Sequence, residues 1–385
     1  MTSSSLSSTA IDRSDHSEFP HLMLKEIYQQ PEVLRTCLAA YLTGNRDVPI
    51  NLNLPIELYN DLDQIHLIAC GTSRHAGLVA QHWLEQITGI PTRIRSGSEF
   101  VSAPLPIATN TLTIGITQSG ETADTLKALT INQTRRSELG DRFQARQLGI
   151  TNQPNSSLAQ LVDHILPTWA GTEIGVAATK TFTTQLAVLC CLMLDLAVRR
   201  GVIVSAQLQQ WITVLQQLPE QIARILEQEG AIKDLAQQLV NSSHCIILGQ
   251  GVNRAIALEG ALKLKETTYI HAEGYAAGEF LHGPIALLDQ QIPVIAIAPE
   301  GSSQAAVLET VRKVQMSGAK VIGIVSNREA TPDLFEDCLV LPAIANELIS
   351  PFLTVIPLQL LAYHIAVLRG LDVDRPRNLT KAITV

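Results

Sequence analysis

Residues 65–70 read IHLIAC and are followed by Gly71-Thr72-Ser73; residues 111–117 read TLTIGIT and are followed by QSGE. Each is a short, continuous apolar run rich in β-branched residues that breaks at a glycine-containing turn before a helical pattern. That is the signature of a strand covered on both faces, as in a parallel sheet, delivering its chain to the N-terminus of a helix. The first helix is predicted from Arg74 to about Gln86. Further along come QLGIT (147–151) with the loop NQPNSS, HILPTWA (164–170), and a long helix through TQLAVLCCLMLDLAVRRG (184–201). Strands alternating with helices in this way predict a doubly wound α/β unit.

The second half repeats the plan. HCIILGQG (244–251) answers IHLIACG, VIAIAPEGSS (294–303) answers TIGITQSGET, VIGIVSN (321–327) answers LGITN, and LVLPAI (339–344) answers ILPTWA. The closing helices correspond as well, PFLTVIPLQLLAYHIAVLRG (351–370) beside the long apolar helix of the first half. A repeat at roughly 170 to 180 residues reads as two α/β domains from one duplicated template. The expected division is a tail over 1–20, a first domain over 21–204 with an N-terminal helical segment, and a second over 205–370 that begins with linker helices near 205–240.

Composition narrows the function. The chain has 385 residues, 46% of them hydrophobic, enough to fill more than one core. A net charge of -8 with 28 Lys and Arg provides no basic field, so neither nucleic acid nor an anionic membrane is an expected partner. The six cysteines, Cys37, Cys70, Cys190, Cys191, Cys245 and Cys338, mostly lie in apolar runs with no CxxC spacing, which suits buried thiols in a reducing cytoplasm. The most apolar run, Leu186 to Val198, is short for a bilayer and contains Asp195, so it reads as a buried helix. The N-terminal MTSSSLSSTAIDRSDHSEF lacks an apolar signal region and reads as a mobile tail.

The turn after TLTIGIT offers hydroxyls from Thr117, Ser119 and Thr122, the Gln118 amide and the Gly120 backbone beside a helix start. Two readings remain open from this loop alone: an ordinary helix cap, or a cradle in which backbone N–H groups and the helix dipole hold a phosphate. The second such turn, Gly71-Thr72-Ser73, lies at another strand end on the same rim, where open α/β sheets bind ligands, and favours the cradle. In the second copy the matching loop, PEGSSQ, has lost the pattern, so one phosphate site per chain is expected. On the helix NRAIALEGALKLKETTY, Glu259, Lys263 and Glu266 share one face, either as a solvated ion-pair face or as a site. The irregular segment HAEGYAAGEFLHGP (271–284) contributes His271 and His282, candidates for proton transfer near neutral pH. No spacing is typical of a metal site, and no cofactor is expected.

The motifs ACGTSRHAG, TQSGETADT, AGTEIGVAATKTFTTQL, IALEGALKLKETTYIHAEGYAAGEFLHGP and DVDRPRNLTKAITV, with HLMLKEIYQQP near the N-terminus, closely resemble the isomerase half of the glucosamine-6-phosphate synthases, from about Leu22 to Val385. The resemblance implies tandem sugar-isomerase (SIS) domains with parallel five-stranded sheets and a C-terminal active-site tail over 371–385. It implies a sugar 6-phosphate ligand held by Thr72, Ser73, Thr117, Gln118, Ser119 and Thr122. Val176 and Ala178 match a sugar-contacting strip, GVAST in that family, with Ala178 in place of its serine. Glu266 matches the base that moves a proton between C1 and C2, and Lys263 the cation beside the reacting oxygens. His282 matches the ring-opening histidine that reaches a partner subunit's site, which implies a homodimer. Lys381 matches the lysine that forms a Schiff base with the open ketose.

The implied activity interconverts fructose 6-phosphate plus ammonia with glucosamine 6-phosphate, in the synthetic direction or as a deaminase. The alternatives are a plain aldose-ketose isomerase, with glucose 6-phosphate as a candidate substrate, and a sensor that only binds sugar phosphates. No stretch ahead of the isomerase half resembles that family's glutaminase domain, so glutamine hydrolysis is not expected of this chain, and free ammonia, a separate glutaminase or the substrate itself are the candidate nitrogen sources. Two departures stand out: the segment INQTRRSELGDRFQARQ (131–147) is longer than the family's usual connection, and Gln250 stands at the place of an arginine.

Overall fold

The computed structural model describes residues 19–45, 48–329 and 333–383. Most of the expected tail, residues 1–18, lies outside the described residues. Phe19, placed in that tail by sequence, instead packs its ring on Tyr28 with centroids 5.2 Å apart. Two helices follow, α1 (Leu22–Tyr28) and α2 (Gln30–Tyr41).

The first α/β unit runs β1 (Gln64–Ala69), α3 (Gly71–Trp83), β2 (Thr92–Ser96), α4 (Gly97–Ser102), β3 (Thr111–Ile116), α5 (Ala123–Ser137), β4 (Arg146–Thr151), α6 (Ser157–Leu161), β5 (His164–Pro167) and α7 (Lys180–Arg199). Helices α8 (Ser205–Leu226) and α9 (Glu229–Leu239) lead into the second: β6 (His244–Gly249), α10 (Asn253–Thr268), β7 (His271–Ala276), α11 (Ala277–Phe280), β8 (Val294–Ala298), α12 (Gln304–Gln315), β9 (Val321–Val325), β10 (Asp337–Val340) and α13 (Pro351–Leu368). The sheets are β2-β1-β3-β4-β5 and β7-β6-β8-β9-β10, five strands each in the same order, and every pairing is parallel. The expected fold class, two tandem doubly wound units, is the observed one.

The central strands β3, β8 and β9 are buried at every position because helices cover both faces, which is why they read as unbroken apolar runs. Two strands differ from the sequence reading. The segment HAEGYAAGEFLHGP is not irregular throughout: HAEGYA forms β7, and AGEF the short α11. Its counterpart TRIRS forms β2. Both are edge strands with charged and small residues, so the apolar signal was absent.

Helix α7 is 20 residues long, so the apolar element is not too short to span a bilayer, and the segment Glu347–Leu368 around α13 is also long and apolar enough. Both are interior helices: 94% and 89% of their apolar windows are buried within the protein. They belong to a single hydrophobic core shared by both halves, in which Leu67 and Leu186 of the first unit join Ile247, Phe352 and Leu358 of the second. Helix α8 packs on both α2 and α13, and α3 packs directly on α10. That last contact sets the second unit's helix against the strand ends of the first.

Candidate active site

In a 2-1-3-4-5 sheet the chain leaves the ends of the neighbouring β1 and β3 toward opposite faces, and the crevice between those ends is where such sheets take ligands. Here the crevice is a cleft of about 260 Å³. Cys70–Ser73 and Thr117–Thr122 form one wall, Lys263 and Glu266 of α10 another, Val176 and Ala178 a third, and the C-terminal residues 379–383 close it. A larger groove of about 550 Å³ beside α8 is lined by glutamines, Trp211 and neighbouring uncharged residues, with no ionisable group to supply chemistry.

The turn after β3 is built around Gly120, whose φ of +69° favours glycine and whose missing Cβ would fall 1.9 Å from Ser156 Oγ. Thr122 is the N-cap residue of α5, yet its side chain makes no cap bond. Its hydroxyl instead pairs with Thr117 Oγ1 at 2.6 Å, while Ser119 Oγ accepts from Glu121 N at 3.1 Å. The Gly71-Thr72-Ser73 turn is the first turn of α3 itself, and this helix also starts without a side-chain cap. Two uncapped helix starts and a set of hydroxyls therefore face one space, an arrangement that favours an anion. The tail is tied to this wall by Ala123 N donating to Ile383 O at 3.1 Å.

The α10 face is not solvated. Glu259 and Lys263 are 0% and 1% exposed, because α3 packs over them. Lys263 Nζ lies 2.6 Å from Glu266 and 3.4 Å from Glu259, and donates to Thr72 Oγ1 at 3.1 Å. Glu259 also receives His75 Nδ1 at 2.6 Å and the Thr72 hydroxyl at 3.0 Å. Burial disfavours the Lys263 ammonium, but Glu266 and Glu259 outweigh it and hold its pKa well above the ordinary lysine value. Burial likewise pushes the Glu259 carboxyl up, and Lys263, His75 and Thr72 hold it below its usual range. Lys263 is thus a fixed positive charge in a dry wall, with Glu266 reaching the cleft beside it.

Opposite, Lys381 Nζ donates to Glu173 Oε2 at 2.5 Å and to Gly175 O at 2.7 Å. Glu173 is buried at the start of α7, where it accepts from Thr179 N at 2.9 Å, Thr181 N at 3.1 Å and Thr181 Oγ1 at 2.7 Å. Burial raises the Glu173 pKa, but Lys381 and these donors keep it below the ordinary carboxylate value.

The cleft thus gathers Thr72, Ser73, Thr117, Gln118, Ser119, Thr122, Val176, Ala178, Lys263, Glu266 and Lys381. His282 is not among its lining; it sits exposed in the turn after α11. His271 lies on the edge strand β7 in an exposed pair with Glu273 at 3.4 Å, as a solvated surface pair. Gln250 serves the backbone, accepting from Gly278 N at 3.4 Å. Glu173 carries no cap signal in the sequence, since it stands six residues ahead of the N-cap Thr179 and reaches the helix start only through the fold, and His75 has none because its partner Glu259 is remote in the chain. In the second unit the PEGSSQ loop has its own resident anion: Glu347 Oε2 accepts from Ser302 N at 2.6 Å and Ser302 Oγ at 2.8 Å, and its other oxygen from Ser303 N at 3.2 Å. Among the described residues, no three His, Cys, Asp or Glu side chains are placed to hold a metal ion.

A profile of the SIS domain family matches residues 58–194 and 238–369, one stretch around each sheet. The glutamine–fructose-6-phosphate aminotransferase (isomerizing) of Thermosynechococcus vestitus is 52% identical over 374 residues, which cover 95% of this chain and 60% of that protein; the chain spans about that share of the relatives from Nostoc and Synechocystis as well. Among solved structures, the C-terminal domain of glucosamine-fructose-6-phosphate aminotransferase from Francisella tularensis superposes with a TM-score of 0.86 at 37% identity, covering 93% of this chain and 99% of that one. A glucosamine-6-phosphate deaminase from Thermotoga maritima shares the fold with a TM-score of 0.70 at 22% identity, covering 94% of this chain and 100% of that one. With both sheets matched and the cleft at the expected switch point, the chain belongs to the SIS domain family.

Proposed function

We propose that the cleft binds the open chain of a sugar 6-phosphate and interconverts fructose 6-phosphate plus ammonia with glucosamine 6-phosphate. The observation that carries this reading is the placement of the buried Lys263, its half-buried partner Glu266 and the Lys381 amine around one hydroxyl-lined anion cradle. The names of the relatives support it.

The phosphate anchors on Thr72, Ser73, Thr117, Gln118, Ser119 and Thr122, with Val176 and Ala178 along the sugar. The Lys381 amine, once free of its extra proton, attacks the C2 carbonyl; water leaves and an imine remains, which makes the C1 hydrogens more acidic. Glu266 carries one proton between C1 and C2, and the Lys263 ammonium stabilises the negative charge that develops. Ammonia displaces Lys381 before that proton moves: it adds to the C2 imine and expels the lysine amine, so that C2 keeps the ammonia nitrogen. A homodimer that brings His282 to a partner's cleft supplies the group for ring opening. Six unpaired thiols fit a reducing cytoplasm.

Purified protein incubated with fructose 6-phosphate plus ammonium, and separately with glucosamine 6-phosphate, should form the other sugar phosphate in each case. Binding without turnover in both would replace the enzyme reading with a sensor. Glu266→Gln should lower turnover about 10²–10⁴-fold, the usual range for losing a general acid–base group. Because Glu266 and Lys263 suffice for enediol chemistry without an imine, plain isomerisation is the second reading. Lys381→Ala separates the two: the amination route collapses, whereas isomerisation to glucose 6-phosphate survives.

A further inference from the structure

We propose that Glu26, on the N-terminal helix α1, is a positioning residue for Lys381: it clamps the strip Glu173–Gly175 against which the lysine docks and governs how readily the amine gives up its proton. Glu26 is 3% exposed. Its Oε1 accepts from Ile174 N at 2.5 Å and Gly175 N at 3.2 Å. Its Oε2 is buried with no hydrogen-bond partner. A Cβ on residue 175 would come 2.8 Å from that oxygen, so a larger residue there would push the carboxyl aside. The Gly175 carbonyl and the Glu173 carboxylate receive Lys381 Nζ. The strip is therefore held between a carboxyl from the beginning of the chain and an amine from its end.

The charge on Glu26 is the variable quantity. Burial, with the Glu173 charge adding to it, raises its pKa to about 7, against the pull of Ile174 N, Lys381 and Gly175 N. As an acid, Glu26 leaves Glu173 as the nearby counter-charge of Lys381. As a carboxylate, it adds a second negative charge and favours the ammonium, which cannot attack a carbonyl. The other groups facing this cluster are Lys180 of α7, which feels both Glu26 and Glu173 as well as Lys25 of α1, and Asp374, which accepts from Leu22 N and Met23 N at the start of α1.

The inference rests on the imine reading for its catalytic meaning, but its test requires no substrate. Lys381 is reductively methylated with formaldehyde and cyanoborohydride across pH 6–10 in the full chain and in Glu26→Gln, and each lysine peptide is quantified by mass spectrometry. Glutamine keeps an oxygen for the two N–H donors and cannot ionise. The midpoint of Lys381 reactivity should fall by about 0.5–1 pH unit, a three- to tenfold gain in labelling below the midpoint, while the surface Lys313 stays unchanged. An unchanged or raised Lys381 midpoint overturns the inference. Glu26→Ala, which removes the clamp as well, should raise KM for fructose 6-phosphate about tenfold, with Glu26→Gln restoring it; equal KM values for the two variants would show that no clamp exists. Failure of borohydride to trap fructose 6-phosphate on Lys381 in the unaltered chain would sink the imine reading separately.

Discussion

The side chain with most at stake is Lys263, a cation 1% exposed between Glu259 and Glu266. A buried ion pair contributes little net stability, but removing one partner strands the other charges without water. Lys263→Met should therefore destabilise the protein by about 3–5 kcal/mol, read from urea unfolding. The exposed Lys313–Glu309 pair, at a similar distance of 2.9 Å, should be dispensable in the same assay because solvent screens it. The spacing of Glu259, Lys263 and Glu266 was legible in the sequence. Their burial was not, since it depends on α3 arriving from the other half, and from the sequence the same spacing fits a solvated face. Glu26 was illegible for a related reason: nothing near it in the chain marks a carboxyl whose partners are Ile174 and Gly175. The cradle hydroxyls, by contrast, are contiguous in sequence and announced themselves.

Among the elements, the interior strands were readable and the edges were not. β1, β3, β6 and β8 carry predominantly apolar runs, interrupted in β1 by the buried His66, because both faces are covered. β2 and β7 join β1 and β6 from one side only, and their Arg93, Arg95, Glu273 and His271 conceal the strand pattern. Duplication has also left equivalent loops with different occupants. The loop between β3 and α5 opens into the cleft, whereas the loop between β8 and α12 is filled by Glu347, which tethers Ser302 and Ser303 at the start of α12. Burial pushes the Glu347 pKa up, but the Ser303 and Ser302 donors outweigh it and lower it. A carboxylate lowered in the folded state stabilises above its unfolded pKa, and that contribution fades as pH falls through the lowered value. Glu347→Ala should cost about 1 kcal/mol at pH 7, the size of a lost helix cap at a partly exposed site. The gap in urea midpoint between variant and parent should narrow as the pH falls from 7 through the lowered carboxylate range, leaving only the packing loss once Glu347 is protonated. A gap that widens in acid would mean that Glu347 is held as a neutral group instead.

At the scale of the whole molecule, the two units share one core and build one cleft between them, with the tail residues 379–383 laid across it. Such a site is completed by tertiary structure from both ends of the chain, yet His282 stays exposed and outside it. His282 does not line its own chain's cleft, so a role in the chemistry points to a second copy, and a two-fold pair would make the exchange reciprocal. His282→Ala and Lys381→Ala chains are each expected to be inactive alone, because every cleft then lacks one of the two groups. When the two are unfolded together and refolded, mixed dimers contain one cleft with both groups intact and one with neither. Statistical mixing then restores about a quarter of the parent activity, since half the dimers are mixed and half their clefts are whole. A mixture as inactive as its components would place His282 in its own chain's cleft, through a rearrangement of the turn after α11, or remove it from the reaction. Rescue at the expected level, lost on dilution to concentrations where sedimentation shows single chains, would tie the activity to the pair.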